Sequence, residues 1–175
     1  MLNHIQKTLH PERYHGTNQR PPFFEGWYYK LISADKRERF AIIPGIFLSH
    51  DPAVQHTFVQ VFDGVSGDVS YHRFPSGDFR AADSPFEVRV DANRFGLDGI
   101  ALNINDSLRT VTGEIRFSTP TPWTIKTLEP GVMGWLGYLP FLECYHGVLS
   151  FDHRLEGSLT INGRVIDFTG GRGYI

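Results

Sequence analysis

Turn chemistry constrains this chain more than any other feature. Strand-length runs follow one another at intervals of about 8 to 14 residues, and helical periodicity is nearly absent. The runs read as strands near 27–33, 39–48, 56–63, 69–74, 86–90, 99–105, 108–118, 146–155, 157–161 and 164–168, with a last one opening near Arg172. The connections "ADKRER", "DGVSGD", "NDS" and "NGR" carry turn residues, and Asn162-Gly163 suits a tight hairpin turn whose central residues need positive φ. Regular hairpins at this spacing predict an all-β antiparallel barrel or strongly curved sandwich of about ten strands.

Two strands are apolar on both faces. In "RFAIIPGIFL" (39–48), Phe40, Ile42, Ile46 and Leu48 point one way while Ile43 and Phe47 point the other. In "HTFVQVFD" (56–63), Phe58 and Phe62 oppose Val59 and Val61. Such strands require cover on both faces, so a second layer, a second subunit or a missing domain is expected against this sheet. "TGGRGYI" breaks off as a strand begins, so residues 1–175 read as one β-barrel-like domain that is one part of a longer protein, or an engineered truncation. The longest segment without strand pattern, 119–145, alternates Gly131, Gly134 and Gly137 with Met133, Trp135, Leu136, Tyr138 and Leu139. It is expected to plug one end of the barrel or to line a portal for an apolar ligand.

Composition narrows the function. Hydrophobic residues are 41% and charged residues 21%, enough for a packed core. A net charge of −2 gives no electrostatic footprint for nucleic acid. The single cysteine, Cys144, excludes an intrachain disulfide and points to a reducing, cytoplasmic setting. No apolar run reaches the length of about 20 residues that spans a bilayer, and "MLNHIQKTLHPERYHG" lacks the apolar core of a secretory leader.

There is no phosphate loop, dinucleotide fingerprint or paired-cysteine zinc motif, and no metal is expected. His146 and His153, seven apart, face opposite ways in a regular strand and cannot chelate together. Ser150, Asp152 and His153 are close in sequence, but neighbours in one strand are wrongly placed for a catalytic triad. Glu25 is the acid that stands out, set in "PPFFEGWYYKL" (21–31) among Phe23, Phe24, Trp27 and Tyr28. A carboxyl in that company either loses solvation, keeps its proton and acts as a general acid, or stays ionised by capping N–H groups or pairing with Arg13 or Arg20. In "FLECYHGVLSFDHRLEG" (141–157), alternation from Tyr145 to Leu155 puts His153 on an apolar face with Tyr145, Leu149 and Phe151, and Asp152 beside Arg154 on the other. A histidine so placed is a satisfied core residue or a pocket acid or base. Glu143, between Leu142 and Cys144, raises the same question as Glu25.

"YHGTNQRPPFFEGWYYKL" (14–31), "MGWLGYLPFLECYHGVLSFDHRLEG" (133–157) and "GGRGYI" (170–175) together resemble the tocopherol cyclase family, related to the carotenoid 1,2-hydratases and grouped with lipocalin-like, AttH-type (calycin) folds. The middle of the chain, about 50–118, shares only the β-pattern. In that family the Gly-Tyr-Ile run continues into a second β-domain, so the resemblance implies packing against a missing C-terminal half. It also implies a reaction: a proton adds to a trisubstituted alkene of a prenylated hydroquinone, and the phenolic oxygen captures the tertiary cation to close a chromanol ring. This chemistry needs an acid in a dry pocket and aromatic faces for the cation, with no metal and no redox cofactor. Glu25, Glu143, Asp152 and His153 are the candidate acids, and Phe24, Trp27, Tyr28, Trp135, Tyr145 and His146 the candidate ligand-lining residues. The partner so implied is a hydrophobic isoprenoid quinol, reached through peripheral membrane contact. The alternatives are a lipocalin-type binding protein without chemistry, and a structural half-domain with no pocket of its own.

Overall fold

Thirteen strands, all paired antiparallel, carry the described chain, residues 2–139, 141–142 and 144–175, in a computed structural model. A short helix, α1 (Leu2–Leu9), precedes β1 (Phe23–Gly26), β2 (Tyr29–Ile32), β3 (Arg39–Leu48), β4 (His56–Asp63) and β5 (Val69–Pro75). Then come β6 (Phe79–Asp83), β7 (Phe86–Val90), β8 (Asn93–Gly96), β9 (Gly99–Asn105) and β10 (Thr110–Ser118). The chain closes with β11 (His153–Ile161), β12 (Arg164–Asp167) and β13 (Arg172–Tyr174). Hydrogen bonding orders them β5-β4-β3-β2-β13-β11-β10-β9-β8-β7-β6, with β1 added to β3 and β12 to β11. The sheet curls until β7 lies against β3 and β4, which makes a nearly closed, lipocalin-like barrel. No described helix is long and apolar enough to cross a membrane.

The strongest sequence patterns mark the observed strands closely. β3, β4, β7 and β9 span the expected residues, and Asn162 (φ 50°) with Gly163 (φ 80°) forms the β11–β12 turn. Three short strands escape the pattern: β1, β6 ("FRAAD") and β8 ("NRFG") carry few β-branched residues and are held by their neighbours' ladders. The expected strand at 146–155 is not formed. A single strand, β11, begins only at His153, and the residues before it are irregular. The alternation read from Tyr145 to Leu155 therefore fails: Phe151 is 46% exposed while His153, two residues on, is 1% exposed.

β1 and β2 are one strand in a single register against β3, with Gly26 opposite Gly45 and Tyr29 opposite Ile42. The ladder thins between them because Pro44 accepts from Trp27 N–H at 3.0 Å but has no N–H to return. This register sends Phe23, Glu25, Trp27, Tyr29 and Leu31 towards the inside and Phe24, Tyr28 and Lys30 to the outside. Tyr29, Ile42, Val61, Phe95, Ile115 and Leu159, all at 0% exposure, fill the barrel. Burial of a side chain of that size contributes about 1.5–3 kcal/mol.

The two-faced strands find part of their cover locally. On the outer face Phe58 stacks on Tyr71 at 4.9 Å, and His56 lies 5.5 Å from Phe47 and 6.1 Å from Phe58, so these rings cover one another. The glycine-rich 119–145 segment does not plug the barrel with its apolar side chains: Leu128, Trp135 and Phe141 are exposed. It rests instead on α1, where Thr8 Oγ1 donates to Gly137 O at 2.7 Å.

Candidate functional site

Glu25 stands on β1 opposite Ile46, where the segment before β1 folds back against it. Its Oε2 accepts the backbone N–H of His15 at 2.8 Å, and its Oε1 lies 2.8 Å from His15 Nδ1. His15 Nε2 in turn donates to the carbonyl of His10 at 3.1 Å. Beside this pair, Tyr14 packs against Phe23, Trp27 and Phe79, and Trp27 Nε1 donates to Glu12 O at 3.2 Å. Of the two sequence alternatives, partnering is what the geometry shows, but the partner is a histidine ten residues upstream rather than Arg13 or Arg20. The aromatic pocket expected around Glu25 is also smaller than the sequence implied. Strand alternation keeps Phe23 and Trp27 on its face and sends Phe24 and Tyr28 to the opposite one, where both are exposed.

Tyr28 belongs to a second place, and Phe24 to neither. Tyr28, Lys30, Ile32, Phe151, Asp152, Arg172, Gly173 and Tyr174 line an open cleft of about 340 Å³ on the outer face of β2 and β13. Tyr28 and Tyr174 meet edge to face at 6.3 Å. Arg172 Nε donates to Asp152 Oδ1 at 2.7 Å and its Nη2 to Asp152 Oδ2, a two-pronged guanidinium–carboxylate pair. Asp152 thus bonds across to β13, not along its own segment to Arg154.

His153 lies behind this cleft, inside the barrel. Its Nδ1 meets Ser150 Oγ at 3.1 Å, and Ser150 Oγ donates to Asp152 O at 3.0 Å, so the ring proton is on Nδ1. Its Nε2 is buried without a partner. Phe117 lies 4.4 Å away by ring centroids, and burial pushes the imidazole down to about 4. Across the ladder is Gly173, where a Cβ would stand 2.2 Å from Nε2; only glycine leaves room for the ring. Ser150, Asp152 and His153 therefore form no triad, since the Asp152 carboxylate is bound to Arg172.

Trp135, Tyr145 and His146 lie apart from both places. Trp135 is exposed on a 3₁₀ turn, Gly134–Tyr138, and Tyr145 donates its hydroxyl to Leu139 O at 2.5 Å. His146 N donates to Met133 Sδ at 3.1 Å, and its Nε2 lies 3.6 Å from Cys144 Sγ. Glu143 lies outside the described residues. Among the described residues no group of three His, Cys, Asp or Glu side chains is placed to hold a metal ion.

Sequence reasoning missed His15, Arg172 and Tyr174 as working members of these places. All three lie in the blocks quoted above, but their partners are 10 to 146 residues away and carry no local signature.

Compared with models of known families, with curated proteins and with solved structures, the chain finds no match in any of the three.

Proposed function

We propose that this chain is the N-terminal β-barrel of a tocopherol-cyclase-like protein, and that it holds the aromatic head of a prenylated hydroquinone in the outer cleft of β2 and β13. One observation carries this reading: the three sequence blocks that resemble the family fold onto one wall. The first block supplies β1 and β2, the third supplies β13 between β2 and β11, and the second runs into β11. Leu149 N–H and Ser150 N–H of that second block both donate to Ile175 O, at 2.8 and 3.0 Å. The cleft at their junction offers the faces of Tyr28, Tyr174 and Phe151 to an aromatic ring or to a cation formed on its prenyl tail. The exposed Leu128, Trp135, Leu136 and Phe141 nearby in sequence suit peripheral contact with the lipid that carries such a guest.

In this reading the chain positions the substrate and the missing C-terminal half closes the cleft against water. Glu25 holds the N-terminal segment through His15 rather than delivering a proton. Asp152 borders the cleft, yet both its oxygens face Arg172. The commitment of both acids favours a second reading, binding without chemistry.

Titration of the chain with a short-tailed prenylated hydroquinone tests the first claim. Saturable quenching of tyrosine and tryptophan emission that Tyr174→Ala abolishes is expected, and no binding would refute it. Chromanol formation by the full-length protein separates the cyclase from the carrier.

A further inference from the structure

Near the β4–β5 and β9–β10 turns, a second set of polar side chains stands apart from everything described so far. Ser70 and His72 are two apart on β5, so both face the barrel interior. His72 Nε2 lies 2.9 Å from Ser70 Oγ, and its Nδ1 lies 2.5 Å from Oδ2 of Asp106, which comes from the turn after β9. The other Asp106 oxygen accepts the backbone N–H groups of Leu108 and Arg109 at 2.8 and 3.2 Å. Burial pushes the Asp106 carboxyl up, but the bonds from His72, Leu108 and Arg109 outweigh it and leave the group below its ordinary value.

The order of these bonds has a direction. A carboxylate facing Nδ1 accepts a hydrogen bond from the ring N–H there, which keeps the proton on Nδ1 and leaves the Nε2 lone pair for the Ser70 hydroxyl. His72 has no exposed surface, whereas Ser70 keeps 7%. Arg109, held in the same turn, has its Nη1 buried without an acceptor. A hydroxyl, a base and an orienting acid are therefore gathered near these two turns.

We propose that Ser70, His72 and Asp106 form a nucleophilic relay that accepts the acyl group of small uncharged esters. Ser70 Oγ attacks the carbonyl carbon as its proton passes to His72 Nε2. The tetrahedral oxyanion collapses, the bond to the alkoxy group breaks, and the alkoxide takes the proton from Nε2 and leaves as an alcohol. Water then attacks acyl-Ser70, gives a proton to Nε2, and displaces Ser70 Oγ, which takes that proton back as the carboxylic acid departs. Asp106 keeps the imidazole oriented and stabilises its transient charge, which makes it a positioning residue. Ser70 keeps only 7% of its surface and its ladder partner is the apolar Val61, which restricts the acyl group to a small, uncharged one.

The relay is independent of the isoprenoid reading, and its test uses neither quinol nor chromanol. The folded chain is treated with diisopropyl fluorophosphate and the adduct is located by peptide mass spectrometry, alongside hydrolysis of p-nitrophenyl acetate. A single adduct on Ser70 is expected, absent in urea-unfolded chain and in Ser70→Ala, with ester hydrolysis in that variant lower by about a hundredfold or more. Asp106→Asn, with folding checked by circular dichroism, is expected to slow labelling and to shift its pH profile. No adduct on Ser70 of the folded protein overturns the proposal. So does labelling at an unchanged rate and pH profile in Asp106→Asn, because a merely structural bridge predicts either result.

Discussion

His15 meets Glu25 at two points: its backbone N–H reaches one carboxyl oxygen and its ring Nδ1 the other, each at 2.8 Å. The histidine's second ring nitrogen donates to the His10 carbonyl, which can only accept, so that nitrogen carries a proton. One further proton is then shared between Nδ1 and Oε1. Two stretches of chain ten residues apart are tied together by this pair.

A substitution series at Glu25 follows from that geometry. Glu25→Gln keeps a carbonyl oxygen for the His15 N–H and offers an amide N–H to Nδ1, so the loss is expected to stay within about 1 kcal/mol. Glu25→Ala strands both donors and is expected to cost about 1–3 kcal/mol. Urea denaturation measures both, and equal losses would show that the pair does not hold the segment. Retained chromanol formation in the full-length Glu25→Gln protein would independently exclude this residue as the proton source.

His153 gives the chain a pH dependence. Its folded value of about 4 lies below the ordinary 6.5, so between those values the unfolded chain binds more protons. The contribution is complete above about pH 6.5 and is lost as pH falls towards 4, amounting to roughly 3 kcal/mol over the window. In histidine-resolved NMR, the His153 ring is expected to stay unchanged until near pH 4. A midpoint near 6.5 would mean that the ring is reached by water.

Gly173 and His153 are expected to be coupled. Gly173→Ala drives a methyl into the imidazole and should cost about 1–3 kcal/mol, as overpacking does. In a His153→Ala background the same substitution should cost clearly less, since the ring that blocks it is gone. A double-mutant cycle by thermal unfolding reads the coupling, and additivity would contradict the packing described.

Arg172 separates stability from binding. Its pair with Asp152 is solvent-facing, so Arg172→Ala should cost less than about 1 kcal/mol of stability. The same change removes one wall of the cleft and should weaken hydroquinone binding severalfold, measured by the quenching titration. Unchanged affinity would move the ligand site elsewhere.

How much was legible beforehand differs from element to element. β3 and β4 could be read because dense β-branched and aromatic runs end at turn residues, a local signal. β6 and β8 could not, because four or five weak strand formers are held in place only by their ladder partners, β7 beside β6 and both β7 and β9 beside β8. Glu25 stood out through its aromatic neighbours, but alternation within the same strand removes Phe24 and Tyr28 from its surroundings. Ser70 and His72 share one face of β5 but were not singled out in the sequence, and Asp106, 34 residues beyond His72, had nothing to mark it.

The order of residues by itself determined an antiparallel β chain with two-faced strands, an asparagine–glycine hairpin and an acid set beside aromatic rings. Each of those follows from interactions between near neighbours along the backbone. Which side chains meet was decided by the tertiary fold, which sets β13 between β2 and β11 and brings His15, in the segment before β1, onto Glu25. Hydrogen bonds and ring contacts act over a few ångströms of space and are indifferent to separation along the chain, so Glu25 found His15, Asp152 found Arg172, and His72 found Asp106 only in the folded barrel.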